Sequence, residues 1–188
     1  MAVKATELRK GTVIVGERGD LLLITEYNHH TPGNLRAVIH LKVKNLATGQ
    51  TTPMRLGSSD AFEVAYLDTK KCEYLYKDSD GYVFMDSETY EQFPMPADLV
   101  ADKMGYVREN SVVNVTFHGA LPVGVELPSS VTLKVIEAEA AVKGNTATNV
   151  KKEAIVETGL KIKVPLHVTV GDQVKINTAD GEFLGRQN

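Results

Sequence analysis

A chain of 188 residues, 43% hydrophobic and 24% charged, has the composition of an ordinary soluble protein, and its length leaves room for three small domains of about 60 residues, a size that folds alone. No apolar run approaches the roughly 18 residues that a membrane-crossing helix needs, and residues 1–7 hold no apolar signal core, so a cytoplasmic protein with no membrane partner is expected. A single cysteine excludes an intrachain disulfide and a multi-cysteine zinc site, and a net charge of −3 argues against a simple basic nucleic-acid binder.

Along the chain the dominant hydrophobic period is two, the signature of strands. Residues 12–15 and 21–27 read as strands joined by Gly16-Glu17-Arg18-Gly19-Asp20. Residues 37–46 give the clearest alternation: Ile39, Leu41 and Val43 on one side, His40, Lys42 and Lys44 on the other. The turn Ala47-Thr48-Gly49-Gln50 leads to a strand over 51–55. Short strands with glycine-bearing turns every 8–12 residues suggest a small barrel. The grammar repeats over 73–76 and 81–85, around Asp78-Ser79-Asp80-Gly81, and on through 86–93. Residues 97–107 are the one helical stretch, with Leu99, Val100 and Met104 as its apolar stripe. Strands over 112–117 and 121–127 follow, and Pro128 marks a boundary. After it come strands over 131–135, 154–156, 160–164 and 174–176, with a polar stretch over 143–149 that reads as an exposed loop. A lone helix inside the middle unit fits an OB-type barrel. The expectation is an all-β chain of three consecutive small barrels, over residues 1–64, 65–128 and 129–188. Their net charges are +2, −6 and +1, so the two ends suit an approach to phosphate better than the middle.

Catalytic patterns are missing. His29 and His30 are adjacent and point to opposite faces of a strand, and His40, His118 and His167 are isolated in sequence. No glycine-rich phosphate loop and no nucleophile-elbow motif occurs. Asp86 and Glu88 would share a face in an extended segment, where a solvated charged face accounts for them better than a catalytic pair. Cys72, in a strand-like run, reads as a half-buried structural thiol. No metal and no cofactor is expected. The loop Thr31-Pro32-Gly33-Asn34-Leu35-Arg36 admits two readings. It is a surface hairpin of indifferent sequence, or a protruding tip whose amide, apolar side chain and guanidinium suit a narrow RNA-lined cavity.

Three blocks spread over the chain decide between these readings. The first is Pro32-Gly33-Asn34-Leu35-Arg36-Ala37, with Lys42-Val43-Lys44-Asn45-Leu46 and Thr48-Gly49. The second is Tyr74-Leu75-Tyr76 with residues 84–92. The third spaces Lys152, Ala154, Gly159, Ile162, Val164, Pro165, Val168 and Gly171 in a fixed pattern. Together they resemble the bacterial elongation factor P family. The resemblance implies an L-shaped, tRNA-like molecule with an SH3-like barrel followed by two OB-fold barrels. It implies a non-enzymatic, monomeric factor that binds the ribosome between the P and E sites and contacts P-site peptidyl-tRNA and ribosomal RNA. Such a factor stimulates peptide-bond formation where consecutive prolines stall synthesis.

The resemblance makes Pro32, Gly33, Asn34, Leu35 and Arg36 the tip beside the tRNA acceptor end. It makes Lys143, Gly144, Asn145 and Thr146 a contact with RNA near the small subunit, with Asn145 where many members carry aspartate. Many members carry at the tip a lysine or arginine that is extended after translation, and Asn34 stands at that position here. Three readings follow: Asn34 acts unmodified, Arg36 supplies the reach, or an unfamiliar modification exists. The first is favoured, with Arg36 as a supporting contact.

Overall fold

The computed structural model of the protein describes residues 1–141 and 150–187. Regular structure within them is almost entirely strand, in three consecutive sheets, each with its own core. The chain divides into two compact units, residues 1–68 with 118–121, and residues 69–117 with 122–188.

The first sheet is built from β1 (Ala2–Lys4), β2 (Val13–Val15), β3 (Leu21–His30), β4 (Val38–Asn45), β5 (Thr51–Gly57) and β6 (Ala61–Val64), in the order β1-β6-β2-β3-β4-β5. Its core follows from the alternation in β4. Ile39, Leu41 and Val43 are buried and meet Leu8, Ile14, Ile24 and Leu56, while His40 and Lys42 face solvent. Full burial of each such aliphatic side chain contributes about 1.5–3 kcal/mol. β3 runs to His30, beyond the expected end near Tyr27, because its pairing with β4 continues through His29↔Ile39 and His30↔Val38.

The second sheet contains β7 (Asp68–Lys77), β8 (Tyr82–Asp86), β9 (Gln92–Met95), β10 (Val112–His118) and β11 (Leu121–Glu126), in the order β11-β10-β7-β8-β9. Between β9 and β10 lies α1 (Ala97–Met104), which buries Val100 and Met104 against Phe84, Met95 and Val115. The helix ends sooner than the expected 107. Tyr106 N–H donates to the Lys103 carbonyl and Val107 N–H to that of Met104, so the chain tightens into turns after Gly105 and still buries Val107. The Thr158 hydroxyl then donates to the Gly105 carbonyl at 2.5 Å.

The third sheet contains β12 (Ser130–Ala138), β13 (Lys151–Val156), β14 (Lys161–Pro165), β15 (Gln173–Asn177) and β16 (Phe183–Gln187), in the order β14-β13-β12-β15-β16. Leu133, Val135, Ala154, Val156, Ile162, Val164, Val168 and Val174 form its core.

One device recurs in all three sheets. The longest strand of each takes an unpaired extra residue. Thr25 sits between the pairs Ile24↔Val43 and Glu26↔Lys42. Leu75 sits between Tyr74↔Phe84 and Tyr76↔Val83, and Ile136 between Val135↔Val156 and Glu137↔Ile155. Such bulges bend the strand and increase its twist, which is how a short sheet curls toward a barrel.

Two residues of the second sheet differ from expectation. Cys72 is fully buried rather than half-buried, since β7 turns it toward the core beside Tyr74 and Phe84. Burial, then the nearby Asp86 carboxylate, pushes its thiol up to about 11. The thiolate is the reactive form, so Cys72 is expected to resist a water-soluble thiol reagent at pH 8 in the folded protein and to react at once in denaturant. Comparing labelling rates in the two conditions checks this, and rapid native labelling would contradict the packing. Asp86 and Glu88 do not share an extended face. Asp86 ends β8 and accepts the Glu88 and Thr89 N–H groups at 2.8 and 3.2 Å, which together hold its carboxyl below the usual range.

Candidate functional site

The β3–β4 hairpin ends in the residues singled out from the sequence. After the last pair, His30↔Val38, the chain leaves the sheet for residues 31–37. Within that loop the Leu35 N–H donates to the Pro32 carbonyl at 2.9 Å, closing a four-residue turn. Gly33 occupies the second position at φ +52, a positive value that favours glycine there. A Cβ at Gly33 would meet nothing within 4 Å, so the backbone angle alone calls for glycine. Pro32 is partly covered, whereas Gly33, Asn34, Leu35 and Arg36 are exposed. Leu35 is 72% exposed, which leaves an apolar side chain at the tip.

The tip carries no carboxylate. From His29 to Ala37 the only full charge is the Arg36 guanidinium. The first acidic residue back along β3 is Glu26, which is bound to Lys42 at 2.9 Å. A donor amide, a guanidinium and a leucine on a closed turn can enter an anionic cavity without charge repulsion. They offer no acid, base or nucleophile of the kind that carries bond-making chemistry.

The shifted titratable groups lie elsewhere, and each shift has a structural cause. Burial raises Tyr74 and Tyr106. The Thr169 N–H, donated at 2.9 Å, is the main cause that lowers Asp172. Among the described residues no group of three His, Cys, Asp or Glu is placed to hold a metal ion. A cleft of about 910 Å³ runs between Tyr74, Tyr82 and Met104 on one side and Glu157 and Leu160 on the other, and Arg108 meets Glu157 at 3.8 Å beside it. Lys77, also in its lining, lies over the Tyr82 ring at 5.3 Å.

The second candidate loop, Lys143, Gly144, Asn145 and Thr146, lies outside the described residues. The strands on either side are in place: β12 ends at Ala138, β13 begins at Lys151, and Glu139 N–H donates to the Glu153 carbonyl at 3.0 Å. The spaced third block is a packing pattern. Ala154, Ile162, Val164 and Val168 are core residues, Lys152 is largely covered, and Gly159 and Gly171 adopt positive φ in turns.

A further set of exposed polar groups escaped the sequence reading. β4 pairs His40 with Asn28 on β3 and with Arg55 on β5, so the three stand in one cross-strand row on the solvent face. Alternation in β4 signals that His40 points outward, but only the register joins it to the other two.

Comparison with known proteins gives three adjoining family matches. Residues 4–62 match the "Elongation factor P (EF-P) KOW-like domain", residues 67–125 the "Elongation factor P (EF-P) OB domain", and residues 131–186 "Elongation factor P, C-terminal". Elongation factor P of Alkaliphilus metalliredigens is 43% identical over 184 residues, spanning 98% of this chain and 99% of that protein. The protein of the same name from Chloroflexus aurantiacus is 38% identical over 183 residues, 96% of each. Among solved structures, eukaryotic translation initiation factor 5A from Methanococcus jannaschii aligns with 67% of this chain and 92% of its own at 19% identity, with a TM-score of 0.42.

Proposed function

The chain belongs to the elongation factor P family of translation factors, and on that footing we propose that it binds the ribosome between the P and E sites and stimulates peptide-bond formation at consecutive prolines. The observation that carries this reading is the β3–β4 tip: a closed, exposed, carboxylate-free turn at the end of a ten-residue strand. Pro32, Gly33, Asn34, Leu35 and Arg36 are its contact with the acceptor end of the P-site tRNA. The loop of Lys143, Gly144, Asn145 and Thr146 contacts RNA near the small subunit. The domains that do this are three barrels, residues 1–64, 65–128 and 129–188, acting as a monomer in the cytoplasm without metal or cofactor. No helix among the described residues is long and apolar enough to cross a membrane.

The mechanism is positional. Proline's ring restricts the geometry of attack, so the peptidyl end of the tRNA spends little time in a reactive arrangement. A factor that holds the acceptor end in place removes part of the entropic barrier and contributes no acid or base. The ribosome remains the catalyst, in keeping with a family of translation factors rather than classical enzymes.

The test is a purified translation system decoding three consecutive prolines, supplied with protein made without any modification enzyme. Selective acceleration over a proline-free message is the expected result and shows that the unmodified Asn34 tip suffices. No acceleration, with the intact mass of protein from its native host unmodified, would overturn the reading. Asn34 itself favours a second reading, a member of the family with a different ribosomal task. Acceleration at stalls other than proline runs would select it.

A further inference from the structure

The cleft between the second and third sheets lies within one compact unit and shares no residue with the tip. We infer that it is a binding site for a small organic ammonium ion. The Glu109 carboxylate and the Tyr74 and Tyr82 hydroxyls are its acceptors, and an apolar floor takes the alkyl part. The inference goes beyond the ribosomal reading and does not depend on it.

Two rings from the core reach the cleft. Tyr74 on β7 and Tyr82 on β8 have centroids 5.8 Å apart, and both line it. Tyr74 is only 6% exposed. Among the described residues neither hydroxyl has a hydrogen-bond partner, and no fully buried side-chain oxygen or nitrogen lacks one. The part of Tyr74 that solvent reaches therefore includes its hydroxyl, and the space it borders is the cleft. Buried tyrosine hydroxyls usually find a partner, so two left open side by side suit a partner from outside the chain.

Most other polar groups of the cleft are already engaged. The Ser111 hydroxyl donates to the Arg108 carbonyl and the Thr158 hydroxyl to the Gly105 carbonyl, both at 2.5 Å. Glu157 accepts the Lys134 N–H at 3.0 Å and meets Arg108 at 3.8 Å, so these opposite charges offset each other. The Lys77 ammonium stands over the Tyr82 ring, an arrangement in which the ring face attracts a cation. Glu109 is different: an exposed carboxylate with no ion pair among the described residues. Burial and then Glu109 raise the Tyr74 phenol, and no cation is among the causes. The charge that acts on that hydroxyl is negative.

These features favour a cation with a short apolar stem. An alkylammonium brings three donors to the three acceptors and lays its stem on Met104, Val107 and Leu160. A carboxylate or phosphate would meet Glu109 instead. Residues 65–128, with a net charge of −6, draw cations to this part of the surface and repel anions. At about 910 Å³ the cleft has the size of a small-molecule site.

The experiment titrates full-length protein carrying isotope-labelled tyrosine rings with n-butylammonium and, separately, with n-butyrate, a probe of similar length and opposite charge. The ammonium is expected to shift the Tyr74 and Tyr82 ring signals along a saturating curve, with a dissociation constant on the order of 1 mM, and n-butyrate to leave them in place. Glu109→Gln is expected to weaken ammonium binding about three- to fivefold, and Tyr74→Phe about fivefold. Glu88→Gln makes the same charge change in the β8–β9 turn, outside the cleft, and is expected to bind as wild type does. Equal weakening in Glu109→Gln and Glu88→Gln would reduce the effect to general attraction by an acidic barrel and overturn the inference. A shift that does not saturate, or an equal response to n-butyrate, would overturn it as well. None of these outcomes touches the tip reading, which polyproline synthesis tests separately.

Discussion

Replacing Asn34 by alanine is expected to reduce the acceleration of a three-proline message by at least about tenfold. The side chain is exposed and packs on nothing in the core, so its removal changes stability by less than about 0.5 kcal/mol. On the proposed reading of the tip, what disappears is an amide contact to the tRNA end. A hydrogen bond of this kind contributes about 1–1.5 kcal/mol, close to a factor of ten in rate, and a small misplacement of a positioned reactant multiplies the loss. Arg36→Ala is expected to cost less, about threefold, because it removes an exposed supporting charge. The measurement is the rate of full-length peptide with each variant, alongside its melting temperature. Full activity in Asn34→Ala with none in Arg36→Ala would reverse the order and make the guanidinium the reaching group.

The largest structural effect is expected at Gly81, far from the tip in sequence. Gly81 closes the turn before β8 at φ +141, and a Cβ there would sit 2.1 Å from the Met95 carbonyl oxygen and 3.0 Å from its carbon. These are backbone atoms of the neighbouring strand, held by the Tyr82↔Met95 pair, and Met95 is itself fully buried. Neither side can give way without breaking the β8–β9 ladder. Gly81→Ala combines backbone strain with overpacking and is expected to cost about 3–5 kcal/mol, a fall in melting temperature of roughly 10 °C or more. Gly33 supplies the contrast. Its φ of +52 strains any side chain there, but nothing lies near its Cβ, so the backbone angle is the whole cost. Gly33→Asn is therefore expected to melt within a few degrees of wild type. Thermal unfolding of the two variants checks the argument, and equal melting would show that the close approach at Met95 relaxes.

Much of this protein is written locally. Period-two alternation marks β4 and its buried side without reference to the rest of the chain, because side chains on a strand alternate whatever their neighbours are. The turn at Asp78–Gly81 is legible for a similar reason: Asp78 caps the Asp80 and Gly81 N–H groups through its own carboxylate, over a span of four residues. The tip is legible too, since Pro32 and Gly33 carry their turn preference wherever they stand. Recognition of the family rested on core positions and tight turns, such as Val164, Val168, Gly171 and the Asp86–Tyr90 turn, whose spacing the fold constrains more tightly than any contact surface.

Other features needed the folded chain. β1 and β6 are three and four residues long, too short to show a period, and they become strands only by pairing across some sixty residues of sequence, as in Val3↔Phe62. The bulges at Thr25, Leu75 and Ile136 have no marker of their own, because a bulge is a mismatch between two strands rather than a property of one. Cys72 gives no sign of its depth until β7 is placed beside Phe84 and Tyr74. The row Asn28–His40–Arg55 draws on three strands, and a slip of one residue would turn its members to opposite faces. The sequence by itself determined the longer alternating strands, the turns and the tip, since each depends on preferences that act within a few residues. Tertiary structure decided register, burial and the polar face behind the tip, since each depends on which distant segments pair.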